Sequence, residues 1–154
     1  MRSFFDTSAL IKKYIDEVGS DTVTKLVLES DEIVLSPITR MEFISALQRL
    51  INTGFLLRKD YEITIEEFQL DMTDFDFVEF NQTLELLVIE LIKKYGLRSL
   101  DGIQLASAKI ANPDRFITSD KKLYEASQKE LQDKETIYIS NSPKNTENPK
   151  VIPA

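Results

Sequence analysis

Apolar residues fall along this chain in two rhythms. Short unbroken runs at Phe4-Phe5, Ile33-Val34-Leu35 and Phe116-Ile117 read as strands covered on both faces. Residues 75–80 alternate and predict a further strand, and residues 137–139 a last one. Between these runs the apolar positions recur every three or four residues. Met41, Phe43, Ile44, Leu47, Leu50 and Ile51 form such a stripe behind Ser36-Pro37, a helix start with proline in its first turn, and Gly54 stops it. Gly19-Ser20-Asp21 supplies an N-cap for a helix through Val23, Leu26, Val27 and Leu28. Helical spacing also covers residues 9–14 and 59–69, and a strong helix capped by Asn81 or Thr83 runs to Tyr95 and closes at Gly96. Residues 100–110 form another, with Ile103, Leu105, Ala106 and Ala108 inward and Asn112-Pro113 at its end. A final helix runs from Thr118-Ser119-Asp120 to about Leu131.

Strands alternating with helices predict an α/β fold around a central, mostly parallel sheet. The 154 residues fit one domain, expected over residues 1–140, with no internal repeat. After Ser140 the composition turns polar and is punctuated by proline, so residues 141–154 are expected to be a disordered tail. No secretory signal opens the chain, and the apolar stretch at residues 84–92 is short and broken by Glu85 and Glu90. A soluble, cytoplasmic protein is the expectation.

Composition narrows the chemistry. There is no His and no Cys. Ser-His-Asp and Cys-His nucleophilic machinery is excluded, as are disulfides, thiolate zinc sites and imidazole–metal sites. Acid–base work falls to carboxylates, Lys, Tyr or metal-bound water. Acids outnumber bases 26 to 19, a formal net charge of -7.

Four of those acids stand at places where ligands bind an open parallel sheet. Asp6 directly follows the first strand and Asp120 the fourth, which puts both at the carboxyl edge if the strands are central. Glu42 lies between the core-type residues Met41 and Phe43, and Asp101 lies early in a largely apolar helix. Each has an ordinary reading: Asp6 and Asp120 as helix caps, Asp101 as a first-turn acid, Glu42 as a solvated face. Together, converging carboxylates stay ionised only beside a hard cation or a shared proton. An all-oxygen set suits Mg²⁺ or Mn²⁺, which can activate water and steady charge on a phosphodiester.

Four segments in order carry a resemblance: Phe4-Phe5-Asp6-Thr7-Ser8-Ala9-Leu10, Thr39-Arg40-Met41-Glu42-Phe43, residues 97–108 around Leu100-Asp101-Gly102-Ile103-Gln104, and Phe116-Ile117-Thr118-Ser119-Asp120-Lys121-Lys122-Leu123. The chain resembles PIN-domain proteins of the VapC-type toxin ribonuclease group, over about residues 2–140. The resemblance implies a three-layer sandwich with a short central sheet flanked by helices. It implies that Asp6, Glu42, Asp101 and Asp120 hold one or two divalent ions, Mg²⁺ or Mn²⁺, for metal-activated hydrolysis of RNA. It implies that Thr7 or Ser8, with Thr118, hydrogen-bonds the carboxylates. It further implies a homodimer and a cognate antitoxin as partners. One departure is Gln104, where relatives often have His.

Charge along the chain is uneven. Residues 60–92 carry ten acids and no base, whereas residues 93–122 carry seven bases against three acids. A basic rim around an acidic centre is therefore expected, drawing on Arg98, Lys121 and Lys122, with Lys12, Lys13 and Arg40 as further RNA-binding candidates. The acidic run at residues 71–76 lacks the spacing of a calcium loop and reads as a helix end leading into a strand. A dehalogenase-type phosphatase would want a second Asp at position 8, where Ser8 stands. A PIN fold that binds RNA or protein without cutting is the remaining alternative.

Overall fold

The computed structural model describes residues 1–142. The expected disorder of the tail falls, from residue 143 on, outside the described residues. Among the described residues five strands form one sheet: β1 (Arg2–Phe5), β2 (Glu32–Leu35), β3 (Asp76–Phe77), β4 (Arg115–Thr118) and β5 (Glu135–Tyr138). Their order is β3-β2-β1-β4-β5, and every pairing is parallel, so the sheet is wholly rather than mostly parallel.

Among the described residues seven α-helices connect and cover it: α1 (Thr7–Leu10), α2 (Ser20–Leu28), α3 (Thr39–Asn52), α4 (Arg58–Asp71), α5 (Gln82–Tyr95), α6 (Ser99–Ala111) and α7 (Lys121–Glu130). Successive residues of a strand point to opposite faces, and Phe4 and Phe5 accordingly enter different cores. Phe4 packs with Phe116, Leu84, Leu91, Leu105 and Leu123 beneath α5, α6 and α7. Phe5 packs with Leu10, Val23, Leu35, Phe43, Leu47 and Phe68 beneath α1 to α4. Helix layer, sheet and helix layer make the three-layer sandwich.

Several helix ends follow the local chemistry. Asn81 caps α5 by accepting from the Leu84 amide, Asp120 caps α7 by accepting from the Leu123 amide, and Gly96 closes α5 at φ 63. Other boundaries move. The helix expected over residues 9–14 is one α-turn that tightens into a 3₁₀ turn at Ile11–Lys13. Helix α3 starts at Thr39, two residues past Pro37. The strand expected over residues 75–80 has only two paired residues, because its neighbour β2 ends at Leu35 and turns away at Ser36-Pro37. The acidic run at residues 71–76 is the end of α4 leading into that strand.

At the start of α2, Gly19 has φ 95, and an added Cβ would stand 2.5 Å from Cγ2 of Ile139. Gly19→Ala is expected to destabilise the fold by about 1–2 kcal/mol, the cost of a left-handed residue with a side chain. Urea denaturation measures this, and an unchanged midpoint would contradict the strain at this position.

Candidate active site

Strand order reverses between β1 and β4, since the chain leaves β1 toward β2 and β3 and returns to its other side as β4. The crevice beyond the carboxyl ends of these two strands is where an open α/β sheet binds ligands. Asp6 stands there directly after β1, its amide donating to the Ile117 carbonyl of β4 at 2.9 Å. Asp120 follows β4 by two residues.

Asp6 is buried, at 5% exposure. Its Oδ2 accepts hydrogen bonds from the hydroxyls of Ser8 and Thr118, the latter at 2.8 Å. The same hydroxyls accept from the amides of Ser119 (Ser8, 3.0 Å) and Asp120 (Thr118, 3.0 Å), tying Asp6 to the loop that carries the second acid. Burial pushes the Asp6 carboxyl from 3.8 up to about 7; the two hydroxyls oppose that rise, and repulsion from Glu42 and Asp101 adds to it.

Glu42 reaches in from the first turn of α3. Its Oε2 accepts from the Thr7 hydroxyl at 2.8 Å and from the Gln104 amide at 2.6 Å. Burial raises its proton affinity, and Asp101 repels it. Asp101, in the first turn of α6, is raised by burial and by Asp120, while Arg98 and Lys122 lower it. Among the described residues Asp101 accepts no side-chain hydrogen bond, which leaves both of its oxygens free.

Glu42, Asp101 and Asp120 line one cavity of about 500 Å³, together with Arg98 and Lys122, and Asp6 lies buried within electrostatic reach of Glu42 and Asp101. All four predicted acids therefore meet at one edge. A larger groove of about 650 Å³ lies on the outer face of α3, but Arg40, Met41, Ile44 and Arg49 line it and no acid does.

Do these residues suit a cation? Their donor set is oxygen alone, the type a hard divalent ion takes. The Gln104 Oε1 is buried and without a partner, an acceptor waiting for a hydrogen. Among the described residues no three acids already stand in an arrangement that would hold an ion. One oxygen each of Asp6, Glu42 and Asp120 is turned toward a protein donor. The donor chemistry fits such an ion.

The basic rim is narrower than the charge count predicts. Arg98 and Lys122 do line the cavity, and Lys121 is exposed beside them. Lys12 is not available, because it is 2% exposed and its ammonium donates to the Val18 carbonyl at 2.8 Å and to Glu17. Lys13 is held by Asp71 at 2.6 Å and by Glu67. Arg40 lies over the Phe77 ring on the α3 face. Lys94 and Lys109 both pair with Glu130, and Arg115 is buried at the opposite end of β4. Gln104, singled out in the sequence only as a departure from relatives that often have His, is brought against Glu42; its place one turn after Asp101 was the available signal for that contact.

The sequence profile of the PIN domain matches residues 3–129. No curated protein sequence matches the chain significantly. Several solved structures share its shape. FitAcB from Neisseria gonorrhoeae is 17% identical with a TM-score of 0.62, covering 87% of this chain and 95% of its own. A toxin–antitoxin complex from Klebsiella pneumoniae is 20% identical with a TM-score of 0.59, covering 79% and 89%. VapBC2 from Rickettsia felis, bound to a DNA fragment from its promoter, is 14% identical with a TM-score of 0.60, covering 90% and 98%. At these identities the likeness is one of fold.

Proposed function

The chain belongs to the PIN domain family, and on that premise we propose that it is a divalent-metal-dependent endoribonuclease, the toxin half of a type II toxin–antitoxin pair. The observation that carries the reading is the meeting of Asp6, Glu42, Asp101 and Asp120 at the switch point of the sheet, in a chain without His or Cys. These four would hold Mg²⁺ or Mn²⁺. A cation bound there supplies an activated water and neutralises charge developing on a phosphodiester.

The protein's own groups prepare that chemistry. Ser8 and Thr118 fix the Asp6 carboxylate, and Thr7 fixes Glu42. Arg98 and Lys122, at the wall of the cavity, would meet the phosphates on either side of the cut. Asp101, with both oxygens free, is the acid best able to swing toward an incoming ion.

Partners follow from the surface and from the likeness to toxin–antitoxin complexes. Met41, Phe55 and Leu57, on α3 and just after it, are each 60% or more exposed, an apolar face suited to a second copy or to an antitoxin segment. An antitoxin would be expected to place a basic side chain near the acids. Among the described residues no helix is long and apolar enough to cross a membrane, and we place the activity in the cytoplasm.

The test is cleavage of a mixed pool of structured RNAs with Mg²⁺ or Mn²⁺, beside an Asp6→Asn/Asp101→Asn double variant. Metal-dependent cutting that the double variant lacks is the expected result. A folded protein that neither cuts nor binds metal would instead be a non-catalytic PIN-fold binding module.

A further inference from the structure

We propose that Gln104 is the positioning residue of the acidic site, the side chain that holds Glu42 ready for a cation; the proposal rests on the metal-site reading above. Gln104 sits in α6 at 1% exposure. Its Nε2 donates to Oε2 of Glu42 at 2.6 Å and to the Thr7 hydroxyl at 2.9 Å, and Thr7 donates to that same Oε2 at 2.8 Å. Three side chains from α1, α3 and α6 thus close a triangle. It saturates one oxygen of Glu42, while among the described residues Oε1 accepts nothing.

Asp6 and Asp120 are fixed in another way. Both are short side chains on turns, tied by hydroxyls or by a backbone amide. Glu42 projects from a helix on three rotatable bonds, and fixing a side chain of that length costs up to about 2 kcal/mol of rotamer entropy. The triangle meets that cost before any ion arrives. An amide is suited to the task because its nitrogen is a donor at every pH.

The free end of the amide points to the same role. Oε1 of Gln104 is buried and has no donor, a state rare for an interior polar atom. Water carried on a cation held by Glu42 would supply the hydrogen it lacks.

The experiment is calorimetric titration of the full chain with Mn²⁺, with thermal melts of the same samples and steady-state cleavage alongside. Three variants are compared: Gln104→Met keeps the volume and removes the amide, Gln104→Asn withdraws it by one methylene, and Thr7→Val opens the triangle from its other corner. Each is expected to weaken Mn²⁺ binding about ten- to a hundredfold, as loss of a group that orients a metal ligand does. Turnover should fall with KM for RNA unchanged. The Gln104→Met/Thr7→Val pair should lose little more than the worse single variant, since both act on one oxygen. A folded Gln104→Met or Gln104→Asn protein that binds Mn²⁺ as tightly as the parent overturns the proposal and leaves the metal site standing. A lower melting temperature with unchanged Mn²⁺ affinity overturns it in favour of a structural link. A parent protein that binds no Mn²⁺ overturns the metal reading itself, and the proposal with it.

Discussion

Asp6→Asn is expected to abolish metal-dependent cleavage while making the metal-free protein more stable. The substitution keeps the shape of the side chain and removes the charge that burial opposes most strongly, since the Asp6 carboxyl is raised from 3.8 to about 7. Between those values the unfolded chain has given up a proton that the folded chain keeps. Stability of the metal-free parent therefore falls as pH rises from about 4 to about 7, and is level above. The shift bounds this slope at about 4 kcal/mol. At pH 7.5 a gain on the order of 2 kcal/mol is expected, because Asn retains one acceptor for the hydroxyls of Ser8 and Thr118 but loses the charge-assisted strength of both bonds. Cleavage should fall roughly a thousandfold or more, as when an acid that holds the metal and the reacting group is lost. Denaturant curves at pH 5 and pH 8, with chelator present, check the first half. A variant as pH-dependent as its parent would mean that Asp6 is ionised in the fold without a cation.

Arg115→Met is expected to do the reverse, destabilising the fold by roughly 3 kcal/mol while leaving Mn²⁺ affinity untouched. Arg115 begins β4 and is 3% exposed. Its guanidinium donates to the Ser3 hydroxyl at 2.8 Å, to the Leu26 carbonyl at 2.6 Å and to the Ser30 hydroxyl at 3.1 Å, and it pairs with Glu29 at 3.3 Å. Methionine fills much of the space and leaves the Leu26 carbonyl and the hydroxyls short of donors. These groups surround the amino ends of the strands, at the opposite edge from the acids, so the effect is confined to stability. Urea unfolding measures it, and equal midpoints for parent and variant would show that water replaces the guanidinium without loss.

These two residues also mark how far a one-dimensional reading reaches. Asp6 and Asp120 were legible because a strand boundary and a parallel sheet suffice to place them at the carboxyl edge. Asp101 was legible through its place in an apolar helix. Glu42 looked like any glutamate on a half-exposed helix, and its position is set by Thr7 and Gln104, which are 35 and 62 positions away. Lys12 read as an RNA-binding candidate, and nothing marked Arg115 as buried, because charge alone suggests water. Their partners come from residues the chain brings together only on folding, save Glu17 and Val18, where a tight turn buries Lys12 locally. The strand at residues 75–80 had the right alternation, but its length is set by β2, which stops first.

The placement of β1 between β2 and β4 has a consequence for synthesis. As the chain emerges, β1 can find its first neighbour within about 30 residues, since Phe4 pairs with Val34. Its other neighbour is more than a hundred residues away, for Phe4 also pairs with Phe116. Until β4 is threaded in, Asp6 lacks Thr118 and the Ile117 carbonyl, and Asp120 has not been made. A chain that ends just before β4 carries Asp6, Glu42 and Asp101 without Asp120 and without the Thr118 hydroxyl that fixes Asp6. The acidic centre thus waits on the longest-range pairing of β1, and Asp6 and Asp120 come together only as β4 joins it.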